Sequence, residues 1–397
     1  MHLLEQHGGF DQHRPAGWIL PSHFMIAEST TASLVLRATE AFPSNGSRQA
    51  NLRYKHPHIT IEDRGLRPLR PDHVRLQMLR VGVCGTDLHM TQRDEQGFLR
   101  CSAPAHIPAE GRVLGHEGIG RVIGVGADVG AFRVGDILAP ESVLSCSVCR
   151  SCRSGCFNQC QKAVLLGMEQ DGLFSTIADV PARSTVNISE LGQTDQGLQM
   201  AACLEPAGVA LLCGMNTRIT PGDKVLIFGA GPIGLLCAIV ARQVYGASSV
   251  AMVEPSPYRR QFAGRWADQA ASSADELTTP AHGWDVVIEA SGDLSNINRV
   301  FRQIAACGRV ALLGRGGQPL TIDAVDHMIT NAISVMGLRG HLGGVYERLI
   351  ELCLSGHLPL DSIITTTLEG LDKLQIVLSQ PDVVASTDCK IVVKLAD

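Results

Sequence analysis

The order of hydrophobic and polar residues divides the chain into two parts near residue 205. In the first part, residues 59–61 and 74–81 alternate in the period-two manner of half-buried strands. Two further apolar runs, at 113–126 and 132–139, contain glycines that would bend strands as in a small barrel. Long helical patterns are few before residue 205, so this part is predicted to be a mostly β domain.

The second part alternates between strand-like and helix-like segments. Such alternation predicts a parallel, doubly wound sheet, which here runs to about residue 337. Beyond the sheet, residues 345–354 are predicted to be a helix and residues 391–395 the last strand. The predicted strands of the parallel sheet are residues 225–228, 250–253, 286–290 and 310–313.

Two segments lack a regular pattern. Residues 1–31 show no periodicity and are predicted to be a disordered tail, of which residues 1–24 contribute nothing to the fold. Residues 41–58 are polar, with Pro43 and Gly46 among their turn residues, and are predicted to be a loop.

A glycine-rich turn follows the first strand of the parallel sheet and leads into a helix. Gly229 would allow a tight turn, Gly231 would let a pyrophosphate approach the backbone, and Gly234 would let helix and strand pack closely. Pro232 suits the first turn of the helix, whose free N–H groups bind anions. Glu254 ends the next strand twenty residues after Gly234, where an acid can bind the adenosine ribose. These features predict a dinucleotide site whose turn consists of Gly229, Ala230, Gly231, Pro232, Ile233 and Gly234.

The identity of the dinucleotide depends on Glu254. Its carboxylate would accept hydrogen bonds from ribose hydroxyls and repel a 2′-phosphate, which favours NAD over NADP. Arg259 and Arg260 weigh the other way, because an arginine near this site can hold a phosphate. The nicotinamide half would be bordered by loops at the carboxyl ends of later strands, which contain Ser291, Gly292 and Gly314.

A loop with closely spaced cysteines is the second strong motif. Four thiolates at such spacing fit tetrahedral zinc, which closed structural sites bind through sulfur. Cys156 also lies in this loop, and the spacing favours Cys160 over it as the fourth ligand. The predicted ligands of a structural zinc ion are Cys146, Cys149, Cys152 and Cys160.

Other candidate metal ligands are scattered along the chain. Taken singly, a cysteine is more often a small buried hydrophobe, and a His-Glu pair is more often a solvated turn. Together, one sulfur, one imidazole and carboxylates form a mixed set of the kind that catalytic zinc uses, with one position open for substrate. The residues alone leave both interpretations open. The set consists of Cys84, His116, Glu117 and Glu205.

Composition narrows the class of protein. A chain of 397 residues with 45% hydrophobic and 18% charged residues is typical of a globular protein with two domains. A formal net charge of −5, without a basic cluster, argues against nucleic-acid binding, and no apolar run is long enough for a membrane span. The N-terminus lacks the pattern of a secretory signal, so the thirteen cysteines predict reduced thiols, metal ligands and a cytosolic location.

Several motifs occur in an order that a known family shares. They are GVCGTDLH, GHEGIGRV, the four-cysteine loop, LEP, GAGPIG and EASG. From about Ser33 to its C-terminus the chain resembles the zinc-dependent medium-chain dehydrogenases, and specifically the polyol branch with sorbitol, threonine and glucose dehydrogenases. The N-terminal tail and residues 41–58 are longer than the family pattern, but both lie outside the motif positions.

The resemblance implies an α/β fold, with a GroES-like, β-rich catalytic domain interrupted by an inserted Rossmann coenzyme domain. The catalytic domain would comprise residues 32–200, with the structural zinc lobe at 146–160, and residues 339–397. The coenzyme domain would comprise residues 201–338, and the active site would lie in the cleft between the domains. A homo-oligomer, dimer or tetramer, is also expected, because oligomers are common among the relatives.

The resemblance further implies roles for the scattered metal candidates. Cys84, His116 and Glu117 would bind a catalytic zinc ion, and Glu205 would be a direct or water-mediated fourth ligand. Two zinc ions per chain, one catalytic and one structural, are therefore expected together with NAD.

The implied activity is hydride transfer between NAD and a secondary hydroxyl or ketone of a polyol, sugar, cyclitol or amino alcohol. Thr86 and His89 would hydrogen-bond the reacting hydroxyl and pass its proton toward solvent. A dehydrogenase of simple alcohols is the nearest alternative, and Glu117 in place of a second cysteine ligand argues against it. A non-catalytic NAD-binding protein is the other alternative, which the complete metal set opposes. A zinc-free quinone reductase would need neither ligand set.

Overall fold

The computed structural model describes residues 29–41, 46–317 and 319–397. Residues 1–28 and 42–45 lie outside the described residues, and so does most of the predicted tail. The strands are β1 (Thr30–Glu40), β2 (Tyr54–Gly65), β3 (His73–Val83), β4 (Arg112–Val113), β5 (Glu117–Val125), β6 (Ile137–Pro140), β7 (Val143–Leu144), β8 (Val164–Leu165), β9 (Ile177–Pro181), β10 (Thr185–Asn187), β11 (Lys224–Phe228), β12 (Ser249–Val253), β13 (Gln269–Ala271), β14 (Trp284–Glu289), β15 (Ile304–Leu312), β16 (Ser334–Gly337), β17 (Ile364–Glu369) and β18 (Lys390–Lys394). The helices are α1 (Gly85–Thr91), α2 (Arg150–Arg153), α3 (Asp195–Ala201), α4 (Leu204–Thr217), α5 (Pro232–Gln243), α6 (Pro257–Ala263), α7 (Ser295–Val300), α8 (Val325–Thr330), α9 (Val345–Leu354), α10 (Leu371–Ser379) and α11 (Pro381–Thr387).

Strands from distant parts of the chain form the main β-rich sheet. Its order is β10-β6-β5-β3-β18-β17, and β9 also pairs with β3. The C-terminal strand β18 lies antiparallel to β3, with Ile391 opposite Val83. A smaller sheet, β2-β1-β4, contributes Leu34 to the same hydrophobic core as Leu76 and Val393. The last strands of the chain therefore complete a core that the first strands begin.

The other large sheet is parallel, with the order β13-β12-β11-β14-β15-β16. Successive residues of β11 face opposite sides of it. Ile227 lies in one core with α4 and α5, whereas Leu226 and Phe228 lie in a second core with Phe301. Both faces are covered, as in a doubly wound fold, and the strand order reverses beside β11, where such folds bind ligands.

The first strand begins earlier than predicted. Thr30 and Thr31, which were assigned to the tail, belong to β1. The Thr31 hydroxyl donates to the carbonyl of Ile177 at 3.1 Å and accepts from its N–H at 2.9 Å. Because this partner lies 146 residues away, no local pattern could reveal it.

The prediction of a loop over residues 41–58 is wrong for its last five residues. Residues 54–58, which include Pro57, belong to β2. The strand lies at the edge of its sheet, where a missing N–H removes no bond between strands. His56 adopts a positive φ of 54°, and the pairing with β1 shifts register close by, between Arg37 and Thr39.

The C-terminal segment contains more helix than predicted. Helix α9 has the predicted bounds, but α10 and α11 were not expected. The apolar spacing of α10 was visible in the sequence, because Leu371, Leu374 and Leu378 recur at helical intervals and are buried. The domain boundaries at 200 and 338 stay predictions.

Within the described residues, no single helix has the length and apolar character to cross a bilayer, although α3 and α4 would together meet those criteria as a bent pair.

Candidate active site

The glycine-rich turn leaves the N-terminus of α5 facing open space. A Cβ at Gly234 would lie 1.9 Å from the carbonyl oxygen of Gly229, and Gly229 has a φ of +94°, so neither position accepts a larger residue without strain. A Cβ at Gly231 would meet nothing closer than Nη1 of Arg259, at 4.0 Å. Helix α5 begins at Pro232. The turn can therefore receive a phosphate group at the helix N-terminus.

Glu254 lies buried at the end of β12 and holds the turn in place. Its Oε2 accepts from the N–H of Ala230 and its Oε1 from that of Ser256, both at 2.8 Å. Each carboxylate oxygen keeps a second lone pair for a ribose hydroxyl. Arg259 donates through Nε and Nη2 to the carbonyl of Asp388, at 2.9 and 2.8 Å. One cavity is lined by Gly231, Glu254, Arg259, Ser273, Ser291 and Asn296, among other residues.

The three residues predicted to border the nicotinamide are brought together by Glu289, which sequence reasoning missed. Glu289 is fully buried, and its Oε1 accepts from the N–H groups of Ser291 and Gly292 at 2.8 and 3.0 Å. The N–H of Gly314 donates to its carbonyl at 3.0 Å, and a Cβ at Gly314 would lie 2.3 Å from the nitrogen of Gly292. The loops after β14 and β15 therefore pack directly against each other.

Three of the four scattered metal candidates converge. Candidate ligand atoms of Cys84, His116 and Glu117 all lie within 4.8 Å of one another. Cys84 follows β3 and precedes α1, while Glu117 begins β5. Strands β3 and β5 are paired with Gly82 opposite Glu117, and this register places the two segments side by side.

Glu205 approaches this group from the first turn of α4 but is not within the 4.8 Å set. Its Oε1 accepts from the hydroxyl of Ser142 at 2.5 Å. His341 lies on its other side, with Nε2 4.0 Å from the same oxygen and Nδ1 3.8 Å from Glu141. The imidazole stacks on Tyr346, at 4.7 Å between ring centroids. Ser142 and His341 were not predicted, because neither lies in a recognisable motif.

Asp87 lies beside two members of the cluster and was also missed. It is buried, and its Oδ2 accepts from the N–H of Cys84 at 3.0 Å. Its Oδ1 lies 3.6 Å from Nδ1 of His116, a nitrogen with no hydrogen-bond partner in the described residues. This arrangement leaves Nε2 of His116 for a metal ion. The signal was present, since Asp87 lies between Cys84 and His89 in the same short motif.

The electrostatics of the cluster favour a cation. Burial raises the pKa of Cys84, Asp87 and Glu205, and the negative charge of Glu117 raises all three further. Buried acidic groups resist ionisation when they crowd together, and a divalent cation among them would remove that penalty. The donor set of sulfur, imidazole and carboxylate fits zinc.

Lys390 is the most deeply buried charged residue near the cluster and was not predicted. Its side chain is 0% exposed, and its Nζ contacts Oε2 of Glu117 and donates to the carbonyl of Val83 at 3.0 Å. Burial lowers the pKa of Lys390 and the charge of Glu117 raises it, with a net shift upward. The ammonium group therefore stays charged.

Thr86 and His89 lie three residues apart on α1, on one face of the helix that begins beside Cys84. Thr86 is half-buried and His89 is exposed. Partial desolvation of the imidazole and the positive charge of Arg100 both lower the pKa of His89. At neutral pH the ring is consequently neutral and able to accept a proton.

The cysteine loop brings four sulfurs together and leaves one outside. The sulfur of Cys149 lies 3.5 Å from that of Cys152 and 3.9 Å from that of Cys160. A zinc ion with Zn–S bonds of about 2.3 Å holds tetrahedral sulfurs about 3.8 Å apart, so the spacing fits the ion. Backbone N–H groups, with Cys152 first, lower the pKa of Cys149 to about 6. Cys146 completes the group, whereas Cys156 is exposed and not part of it.

A parallel nucleotide-binding sheet next to a Cys-His-Glu cluster defines a metal-dependent dehydrogenase as the class of protein. Comparisons with known proteins agree. Residues 70–190 match the family model "Alcohol dehydrogenase GroES-like domain", and residues 232–355 match "Zinc-binding dehydrogenase". The chain belongs to the zinc-binding, medium-chain alcohol dehydrogenase family, a group of oxidoreductases that act on CH–OH groups, which confirms the predicted family, fold class and enzyme class.

Individual relatives cover most of the chain. An L-threonine 3-dehydrogenase of Pyrococcus horikoshii is 33% identical over 316 residues, which cover 77% of this chain and 86% of the relative. A protein of Aspergillus clavatus named "Probable D-xylulose reductase A" is 30% identical over 325 residues, covering 78% and 87%. Among solved structures, an Escherichia coli alcohol dehydrogenase in complex with NADH is 25% identical, with a TM-score of 0.76 and coverage of 92% and 100%.

Proposed function

We propose that the protein transfers hydride between NAD and a secondary hydroxyl or ketone of a polyol, sugar, cyclitol or amino alcohol. The observation that carries this proposal is the mixed Cys84–His116–Glu117 cluster in a chain that also contains the dinucleotide turn. The relatives named for threonine and xylulose support the substrate class, because both compounds carry a secondary hydroxyl or a ketone beside another polar group.

The chain's own residues divide the work in a defined way. A catalytic zinc ion, held by Cys84, His116 and Glu117 with Glu205 nearby, would polarise the reacting oxygen. Thr86 would hydrogen-bond the reacting hydroxyl. His89 would accept its proton and release it to solvent, for which its exposed position on α1 is suited.

The coenzyme is held by a separate group of residues. The N-terminus of α5 would bind the pyrophosphate, and Glu254 would bind the adenosine ribose and disfavour NADP. Ser291, Gly292 and Gly314 would border the nicotinamide. Hydride transfer itself is chemistry that the nicotinamide supplies.

We also propose a structural zinc site, a cellular compartment and an oligomeric state. A second zinc ion would be held by the four sulfurs around Cys149 and would stabilise the loop without taking part in the reaction. All thirteen cysteines are free, which suits a reducing compartment such as the cytosol. We also propose a homo-oligomer, since oligomers are common in the family.

A substrate panel tests the proposal. The purified protein is incubated with polyols, cyclitols, β-hydroxy amino acids and simple primary alcohols, with NAD or NADP, and the reduced coenzyme is followed by absorbance. Turnover with NAD on at least one secondary polyol or amino alcohol is expected, together with two zinc ions per chain by metal analysis. Turnover only on simple primary alcohols would favour the alternative alcohol dehydrogenase. One zinc ion and no turnover would favour a non-catalytic NAD-binding protein.

A further inference from the structure

A fully buried ion pair adjoins the Cys84–His116–Glu117 cluster. The side chains of Lys390 and Glu117 are 0% and 1% exposed, and Nζ of Lys390 contacts Oε2 of Glu117. The same ammonium donates to the carbonyl oxygen of Val83 at 3.0 Å. Val83 directly precedes Cys84, so the lysine touches the segments that carry two of the three clustered residues.

Three adjacent strands are shaped around this pair. Strand β3 lies between β5 and β18, with Gly82 opposite Glu117 on one side and Val83 opposite Ile391 on the other. A Cβ at Gly82 would lie 2.5 Å from Oε2 of Glu117 and 2.9 Å from Nζ of Lys390. Any other residue at position 82 would therefore displace the ion pair.

The carboxylate of Glu117 would serve two cations, the ammonium group of Lys390 and a bound metal ion. Its Oε2 is held by Lys390, so only Oε1 is left for a metal ion that binds among Cys84, His116 and Glu117. A metal ion among these residues would have to share Glu117 with a permanent positive charge a few ångströms away. Breaking a buried ion pair by removing one partner is costly, because the other charge stays buried without compensation.

We propose that Lys390 is a positioning residue of the metal site, which restricts Glu117 to one oxygen for the metal and compensates its charge when the metal is absent. The inference rests on the proposed catalytic metal, and it adds a role for the C-terminal strand. Lys390 lowers the affinity for the ion and, by occupying one oxygen of Glu117, keeps a coordination position open for substrate.

The proposed role of Lys390 predicts effects on zinc affinity and stability that an ordinary structural ion pair would not produce. In Lys390→Met the nearby positive charge is gone, so zinc at this site should bind roughly tenfold more tightly or better, as expected for removing a like charge at short range. The metal-free variant should lose much more thermal stability than the zinc-loaded variant, since only the metal-free form leaves Glu117 uncompensated. A purely structural pair would lower both unfolding temperatures equally and leave zinc affinity unchanged.

The experiment measures zinc retention against a graded chelator and thermal unfolding of loaded and stripped protein. Lys394→Met is the matched control, because Lys394 lies on the same strand, pairs with Asp397 and is part-exposed; its zinc retention should equal that of the wild type. Lys390→Arg, which keeps the charge, should also retain zinc as the wild type does. If Lys390→Met does not fold without metal, the neutral double variant Glu117→Gln/Lys390→Met should fold and unfold at similar temperatures with and without zinc at this site.

Unchanged or weaker zinc retention in Lys390→Met would overturn the inference, and so would equal losses of stability in the two states. These readouts do not require turnover. A protein without dehydrogenase activity that still shows tighter zinc binding in the variant would therefore refute the proposed function while supporting the role of Lys390.

Discussion

The guanidinium group of Arg259 donates two hydrogen bonds, at 2.9 and 2.8 Å, to the carbonyl oxygen of Asp388. Arg259 lies in the first turn of α6, beside the dinucleotide turn, whereas Asp388 lies two residues before the C-terminal strand of the β-rich sheet. Arg260 is likewise committed, since its Nη1 donates to the carbonyls of Glu254 and Pro255 at 2.8 and 2.9 Å. Both arginines that could hold a 2′-phosphate therefore already donate hydrogen bonds to backbone carbonyls.

Coenzyme choice should accordingly depend on Glu254. In Glu254→Gln the negative charge is lost while the side chain keeps its shape. The ratio of kcat/KM for NAD to that for NADP should fall roughly tenfold or more, which corresponds to about 1.4 kcal/mol. Initial rates with both coenzymes provide the measurement. A ratio equal to that of the wild type would show that Glu254 does not set the preference.

Substitutions at two glycines of the dinucleotide turn should have different effects, one on stability and the other on coenzyme affinity. Gly234→Ala places a Cβ 1.9 Å from a backbone oxygen and should cost about 1–3 kcal/mol of the free energy of unfolding. Gly231→Ala meets no atom closer than 4.0 Å and has an ordinary φ of −72°, so its stability should change by less than about 0.5 kcal/mol. The added methyl group should nevertheless obstruct the pyrophosphate and weaken NADH binding roughly tenfold or more. Urea unfolding and NADH fluorescence titration measure the two effects, and a Gly231→Ala protein with normal affinity would contradict this account.

The pH dependence of alcohol oxidation should report on His89. The neutral imidazole accepts the proton, and partial desolvation and Arg100 lower its pKa from the ordinary value of 6.5. The rate should therefore stay high below pH 6.5 and fall only as the pH drops through the lowered pKa, where the ring becomes protonated. Arg100→Gln removes one cause of the shift, so the acidic limb of kcat/KM should move to higher pH. His89→Gln should lose that limb, and an unchanged profile in both variants would remove His89 from the proton path.

The cysteine loop offers a matched pair of substitutions. Cys160 is 6% exposed and belongs to the four-sulfur group, whereas Cys156 is exposed and lies outside it. Cys160→Ser should lose one of the two zinc ions and lower the unfolding temperature, because the ion holds the loop together. Cys156→Ser should keep both ions and the wild-type unfolding temperature. Metal analysis and thermal unfolding measure both effects. Loss of zinc in Cys156→Ser but not in Cys160→Ser would make Cys156 the fourth ligand.

Features that depend on neighbouring residues could be predicted from the sequence, and features that depend on distant pairs could not. The dinucleotide turn and the cysteine loop are contiguous, so spacing alone indicates their geometry. Asp87 lies inside a motif, but its position there does not reveal its contact with Cys84 or its closeness to His116. Lys390 contacts Glu117 across 273 positions, and nothing in an apolar strand ending the chain indicates such a partner. Glu289 likewise acts on loops whose contact the sequence does not reveal.

The position of β18 beside β3 has a consequence for the order of events during protein synthesis. The cysteine, histidine and glutamate of the cluster are synthesised before the parallel sheet, whereas β18, the strand that separates β3 from β17, is synthesised after it. By then the whole parallel sheet has emerged and can already fold. Until β18 pairs with β3, the β-rich sheet has an unpaired edge and exposes apolar surface, which favours aggregation. Removing the last eight residues, 390–397, should consequently harm the yield of folded protein far more than their number suggests.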